Sequence, residues 1–201
     1  MKVLAKFNKK DLWTIPNILC YIRFLLIPIF VVKYLKAEEA GEYLQAAVIV
    51  LASGLTDFLD GFIARTFDMI TELGKLIDPI ADKLTQAALI FVLVIKFEWT
   101  ASLLLLFILF FAMQLFLLVA GLVMLKKGKR LDGSKWFGKV STTVFYAVML
   151  VLIAFPSIGS HIANILVFVC GAFLALSFAL YVREYFMMYH EIKEEESIEI
   201  S

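Results

Sequence analysis

The stretch DFLDGFIARTFDMITELGKLIDPIADK, residues 57–83, holds five of the seven aspartates of a 201-residue chain that is 62% hydrophobic. An aspartate inside a membrane is costly and marks function by default. Asp57 and Asp60 are three apart, and Gly61 and Ala64 follow Asp57 by four and seven, so a helix would carry all four on one face. Asp78 and Asp82 are four apart, with Gly74 one turn before Asp78. Each of two helices therefore presents a pair of carboxylates on one stripe beside small residues. The connection RTFDMITEL is short enough to make the two helices antiparallel neighbours, which predicts that the stripes meet. Asp68 lies in that connection, off both stripes, and reads as a solvated loop residue.

Around this stretch the chain is apolar. Runs near 14–36, 43–65, 76–97, 99–125, 137–156 and 161–182 each approach the ~20 residues needed to cross a bilayer as a helix. Carboxylates interrupt the second and third runs. The expected fold is all-α, a polytopic integral membrane protein with six transmembrane helices and a polar cavity facing the cytoplasm. The first run lacks a small-residue cleavage site and reads as a retained span.

Charge distribution sets the orientation. Lys2, Lys6, Lys9 and Lys10 precede the first run, and Lys126, Lys127, Lys129, Arg130, Lys135 and Lys139 crowd the connection between the fourth and fifth. The opposite connections, KAEEAGEY, KFEWTA and PSIGSH, are short and acidic or nearly uncharged. The positive-inside rule then places both termini and the acid stripes in or near the cytoplasm. The organisation expected is a cytoplasmic amphipathic juxtamembrane segment over 1–13, a membrane domain over 14–189, and an acidic cytoplasmic tail over 190–201 that frays into solvent. Tyr181, Tyr185 and Tyr189 carry the last helix past the membrane into the interface.

Four ionised aspartates in one low-dielectric pocket repel unless cations neutralise them. All-oxygen ligation selects hard divalent ions, and magnesium fits better than calcium. Two ions would match the formal charge of four acids, and two metals about 3.5–4 Å apart are a recurring device for displacement at phosphorus. Gly61, Ala64 and Gly74 leave room for close approach to the backbone. Arg65, one turn beyond Gly61, offers a forked contact to phosphate. Cys20 and Cys170 fall within apolar runs and read as packing residues. Ser53, Thr56 and Gln86 each lie one turn from an acid and read as contacts to substrate or to backbone carbonyls. Lys83 points about 100° away from Asp82 around the helix. His161 and His190 are too remote from the acids to serve as ligands.

The run Asp57, two residues, Asp60-Gly61, two residues, Ala64-Arg65, eight residues, Gly74, three residues, Asp78, three residues, Asp82 resembles in full the signature of the CDP-alcohol phosphotransferases, membrane enzymes of phospholipid synthesis. IPNILCYIR resembles the family's amino-terminal segment, with Cys20 where threonine is expected, and GKVSTT resembles the segment opening the fifth span. The resemblance covers roughly residues 14–145 and leans toward phosphatidylglycerophosphate synthases. It implies that Asp57, Asp60, Asp78 and Asp82 hold two Mg2+ ions, with Mn2+ as the alternative, and that Asp82 is also the general base. It implies that Asp57, Asp60, Gly61, Ala64, Arg65, Gly74 and Asp78 bind the CDP moiety of CDP-diacylglycerol. The acceptor alcohol implied first is glycerol 3-phosphate, received by Lys135, Lys139 and Arg23. Phosphatidylglycerol (a cardiolipin synthase), inositol and inositol phosphate are the alternatives. A homodimer in a bacterial plasma membrane is implied too, with no nucleic-acid partner. A divalent-cation transporter is the competing class, disfavoured because polar residues are sparse in the last three runs and the acids gather toward one end.

Overall fold

The computed structural model describes residues 13–69, 71–96, 101–127 and 135–199, of which 72, 75, 76 and 193–199 as backbone only. Six helices follow one another: α1 (Ile15–Lys36), α2 (Ala40–Thr66), α3 (Glu72–Lys96), α4 (Ala101–Lys126), α5 (Trp136–Ala154) and α6 (Ser160–Glu199). There is no strand among the described residues. Five of the helices, all but α3, are long and apolar enough to cross a membrane. In α3, Asp78, Asp82, Lys83 and Lys96 break the apolar stretch. The chain is an integral membrane protein by these spans. The juxtamembrane segment expected over 1–13 lies outside the described residues apart from Trp13, and so do Lys129 and Arg130.

Local sequence explains where the helices begin and end. Pro16 occupies the first turn of α1, where its missing N–H is not needed. Glu42 turns back to accept from the backbone N–H groups of Glu38 and Glu39 at 2.8 and 3.2 Å, closing the start of α2. At the other end of α2, Asp68 takes φ 52°, and Met69 N–H donates to the Ala64 carbonyl at 2.9 Å. That bond, from six residues' span, is the Schellman closure of a helix on a left-handed residue. Asp68 is exposed, as the sequence suggested, but it also stops α2. Pro156 follows the end of α5. Pro28 and Pro79 lie inside α1 and α3.

α6 departs from expectation. Its backbone stays helical through Glu199, where the acidic tail was expected to fray. Lengthening an existing helix needs no new nucleus, and Glu, Lys and Ile there are adequate helix formers.

The chain forms two compact units. The first comprises the described part of Met1–Glu98 with Met149–Ser157. In it α1 packs extensively against both α2 and α3, so that these two lean on α1 more than on each other. The acid stripes of α2 and α3 meet at Asp60 and Asp78, as expected, while α1 supplies most of the surface that the two helices pack on among the described residues. Its core includes Phe30, Tyr34, Ala46, Ala47, Leu89, Ile90 and Leu93, all buried. Lys96, at the end of α3, donates to the Leu35 and Ala37 carbonyls at 3.2 and 2.7 Å, satisfying acceptors left open where α1 ends. The second unit is Trp99–Val148 with Ile158–Ser201. There α4 packs against α6, and Phe110 stacks on Phe145 at 5.7 Å between ring centroids.

Candidate functional site

The three helices of the first unit each bring polar atoms to one place. α2 supplies Asp57 and Asp60, α3 supplies Asp78 and Asp82, and α1 supplies Asn17, Cys20 and Arg23 at intervals of three. Asp60 is buried at 3% exposure, whereas the side chains of Asp57, Asp78 and Asp82 are 50%, 45% and 28% exposed. One acid of the four is therefore sealed and three reach an open side.

Arg23 is the cation at the centre of this arrangement, only 2% exposed. Its Nη1 lies 2.5 Å from Asp57 Oδ1 and 3.5 Å from Asp78 Oδ1, and its Nη2 lies 2.6 Å from Asp60 Oδ2. The two nitrogens of the planar fork engage different acids of α2, while the third acid comes from α3. A buried guanidinium is tolerable only in such company. The sequence reading placed Arg23 with the acceptor; the structure places it against the acids.

Cys20, read from sequence as a packing residue, is buried but also reaches the acids. Its thiol donates toward Asp60 Oδ2 at 3.5 Å and Asp78 Oδ1 at 3.4 Å. Ligand atoms of Cys20, Asp60 and Asp78 all lie within 4.8 Å of one another, a separation one metal ion can bridge. Two carboxylate oxygens from separate helices, with two further acids on the same stripes, form a hard donor set suited to a divalent ion. The residues fit such an ion.

A cavity of about 120 Å3 opens beside these groups. Asp60, Gly61, Ala64, Gly74 and Asp78 line it, all singled out from sequence, together with Asn17, Cys20 and Thr71. Asn17 Nδ2 donates to Thr71 Oγ1 at 3.1 Å, and Thr71 Oγ1 accepts from the Gly74 N–H at 2.9 Å, capping the start of α3. Asn17 and Thr71 thus fasten α1 to the head of α3 at the cavity wall.

The remaining candidates fall as follows. Asp82 accepts from Gln86 Nε2 at 3.4 and 3.3 Å, and Lys83 Nζ lies 3.8 Å from Asp82 Oδ2 and 3.3 Å from Gln86 Oε1. Lys83 therefore bends back toward its neighbour rather than pointing away, because a flexible four-carbon stem can overcome the 100° step around the helix. Arg65 is exposed, with Nε donating to the Gly61 carbonyl at 2.8 Å. Thr56 donates to the Ser53 carbonyl at 2.7 Å, and Ser53 Oγ is buried without a hydrogen-bond partner among the described residues. Lys135 and Lys139 belong to the second unit, where Lys135 pairs with Glu184 at 3.3 Å and Lys139 is exposed. His161 and His190 are exposed.

Comparison with known proteins covers the helices that carry this geometry. The family model for CDP-alcohol phosphatidyltransferase matches residues 13–186. Among similar proteins, the CDP-diacylglycerol--glycerol-3-phosphate 3-phosphatidyltransferase of Escherichia coli K12 is 31% identical over 166 residues, 82% of this chain and 90% of that protein. The proteins of the same name from Rickettsia felis and Rickettsia typhi are 40% and 43% identical over 82 and 70 residues. Those matches take in 41% and 35% of this chain, and the chain spans less than half of each Rickettsia protein, 45% and 39%. A family match across most of the chain, over helices that carry the full aspartate pattern, decides the question of kinship: the chain belongs to the CDP-alcohol phosphatidyltransferase family.

Proposed function

We propose that the protein is a phosphatidylglycerophosphate synthase, transferring the phosphatidyl group of CDP-diacylglycerol to glycerol 3-phosphate with release of CMP. The observation that carries this reading is the convergence of Asp57, Asp60 and Asp78 on one point beside an open cavity lined by Gly61, Ala64 and Gly74. The choice of acceptor rests on the names of the E. coli and Rickettsia relatives.

Members of the family are generally dependent on divalent metals, and the acids of α2 and α3 suit that requirement. Asp57, Asp60, Asp78 and Asp82 would hold two Mg2+ ions. When bound, such ions withdraw charge from phosphate oxygens and stabilise the attacking and leaving oxygens of an in-line displacement. The protein's own groups do the rest. Gly61, Ala64 and Gly74 admit the pyrophosphate to the helix backbones, and Arg65, exposed one turn above Gly61, swings from the Gly61 carbonyl to phosphate. Asp82 takes the proton of the acceptor hydroxyl as its oxygen attacks the phosphorus of the phosphatidyl group. The bond from that phosphorus to the CMP oxygen breaks, and CMP departs. Positioning and electrostatics supply most of the acceleration in such a transfer.

The same reading has six spans, α3 included, because Asp78 lines the cavity and Asp82 follows it by one turn on the same stripe. The lysine distribution puts that cavity and both termini on the cytoplasmic side of a bacterial plasma membrane. Lys135 and Lys139 receive the phosphate of the acceptor, and the active form is a homodimer, as the resemblance implied.

The test is release of CMP by the purified protein in detergent, given CDP-diacylglycerol and one alcohol at a time. Glycerol 3-phosphate with Mg2+ should support turnover, and EDTA should abolish it. Turnover with phosphatidylglycerol, inositol or inositol phosphate in its place would reassign the acceptor while keeping the transfer. No CMP with any alcohol would end the proposal.

A further inference from the structure

We propose that Arg23 is an internal counter-ion to the acid cluster, so that a divalent ion enters by displacing its guanidinium. The inference rests on the reading of these acids as metal ligands and adds a resident competitor to it.

Three observations carry it. Arg23 reaches three carboxylates from two helices, at 2.5, 2.6 and 3.5 Å. It is 2% exposed and its partner Asp60 is buried with it, so little water screens that pair. The oxygens it uses on Asp60 and Asp78, Oδ2 and Oδ1, are those that the Cys20 thiol also approaches, where the candidate ligand atoms cluster.

A magnesium-sized ion sits about 2.0–2.1 Å from a carboxylate oxygen. The same oxygen cannot keep a guanidinium N–H at 2.6 Å without bringing two cations close together in a poorly screened pocket. One of them must yield, and the divalent ion carries the larger charge. Asp57 and Asp78 present about half of their side chains to the open side, so an incoming ion meets acids before it meets Arg23. Two consequences follow. Without metal, Arg23 relieves repulsion among the acids and keeps α1, α2 and α3 together. With metal, that relief is no longer needed, and the guanidinium only opposes binding.

Binding of Mn2+ to the purified full-length protein, read by electron paramagnetic resonance of the free ion, separates these roles, with melting temperature measured alongside. In Arg23→Gln the metal-free protein should melt several degrees below wild type and bind Mn2+ about tenfold more tightly, recovering most of the lost melting temperature once loaded. Arg23→Lys keeps the charge but loses the fork, and should bind about threefold more tightly than wild type. Should Arg23→Gln give no folded protein even when purified in Mn2+, the Arg23→Lys affinity decides alone. Affinity unchanged or weakened in the folded variants overturns the exchange and leaves the metal site standing. Absence of Mn2+ binding in wild type overturns both.

Discussion

Asn17 on α1 donates to Thr71 at 3.1 Å, across fifty-four residues of sequence, and Thr71 in turn accepts from the backbone of Gly74. Gly74 is hemmed in by this pair. A methyl group there would meet Asn17 Oδ1 at 2.8 Å and Thr71 Oγ1 at 3.0 Å. Gly74→Ala should therefore push both side chains out of place and cost about 1–3 kcal/mol, the range for overpacking. Thermal denaturation in detergent should show the loss, and a melting temperature equal to wild type would refute the tight packing.

Gly61 makes the opposite case on the same cavity wall. Among the described residues, a methyl group there meets Arg65 Nη2 alone, at an ordinary 3.5 Å. Replacing a helical glycine by alanine then gains roughly 0.5–1 kcal/mol through backbone entropy. If the donor's phosphates approach this backbone, Gly61→Ala should melt no lower than wild type and yet raise the KM for CDP-diacylglycerol at least severalfold. A variant with unchanged KM would free Gly61 from the donor site.

Asp60 and Asp57 should differ in what they do for folding. Both pair with Arg23, but Asp60 is sealed and the Asp57 side chain is 50% exposed. Removing one partner of a buried ion pair typically costs ~3–5 kcal/mol, and Arg23 would keep two of its three acids, which puts Asp60→Asn toward ~3 kcal/mol. Asp57→Asn should cost ~1 kcal/mol or less, as exposed pairs do. Urea titration of both variants without metal measures the difference. Equal losses would mean that burial does not rank these acids.

What could be read in advance, and what could not, divides along the helices. The stripes of α2 and α3 were legible because four acids in an apolar chain have few reasons to recur at intervals of three and four. The contribution of α1 was not. It is apolar nearly all round, so its pattern names no inward face, and a cysteine in an apolar run is indistinguishable from packing. Yet Asn17, Cys20 and Arg23 recur every three residues along α1, and all three are buried. That recurrence is a signal in the sequence that could have tied α1 to the acids. Asp68 escaped for another reason: left-handed φ depends on where a helix ends, which spacing alone does not set. Asp68→Gly should thus keep activity and either leave the melting temperature unchanged or raise it slightly, since glycine adopts this φ without strain; a marked loss of activity would give Asp68 a role beyond ending α2.

Asp82 provides the sharpest test of the chemistry. Its oxygens accept from Gln86 Nε2 at 3.3 and 3.4 Å, long for hydrogen bonds, and Lys83 Nζ lies 3.8 Å from Oδ2. A carboxylate 28% exposed can reorient toward an incoming hydroxyl. Asp82→Asn preserves shape and removes the basic oxygen. It should lower kcat for CMP release by at least a hundredfold while shifting the melting temperature little, because its ion pair with Lys83 is long and lies at a side chain 43% exposed. Gln86→Leu leaves the carboxylate in place and removes only its tether, so a smaller fall, roughly tenfold or less, is expected. If Asp82→Asn turns over at near wild-type rate, the proton goes elsewhere and Asp82 is not the base. If Gln86→Leu is as inactive as Asp82→Asn, the tether rather than the charge is what turnover requires.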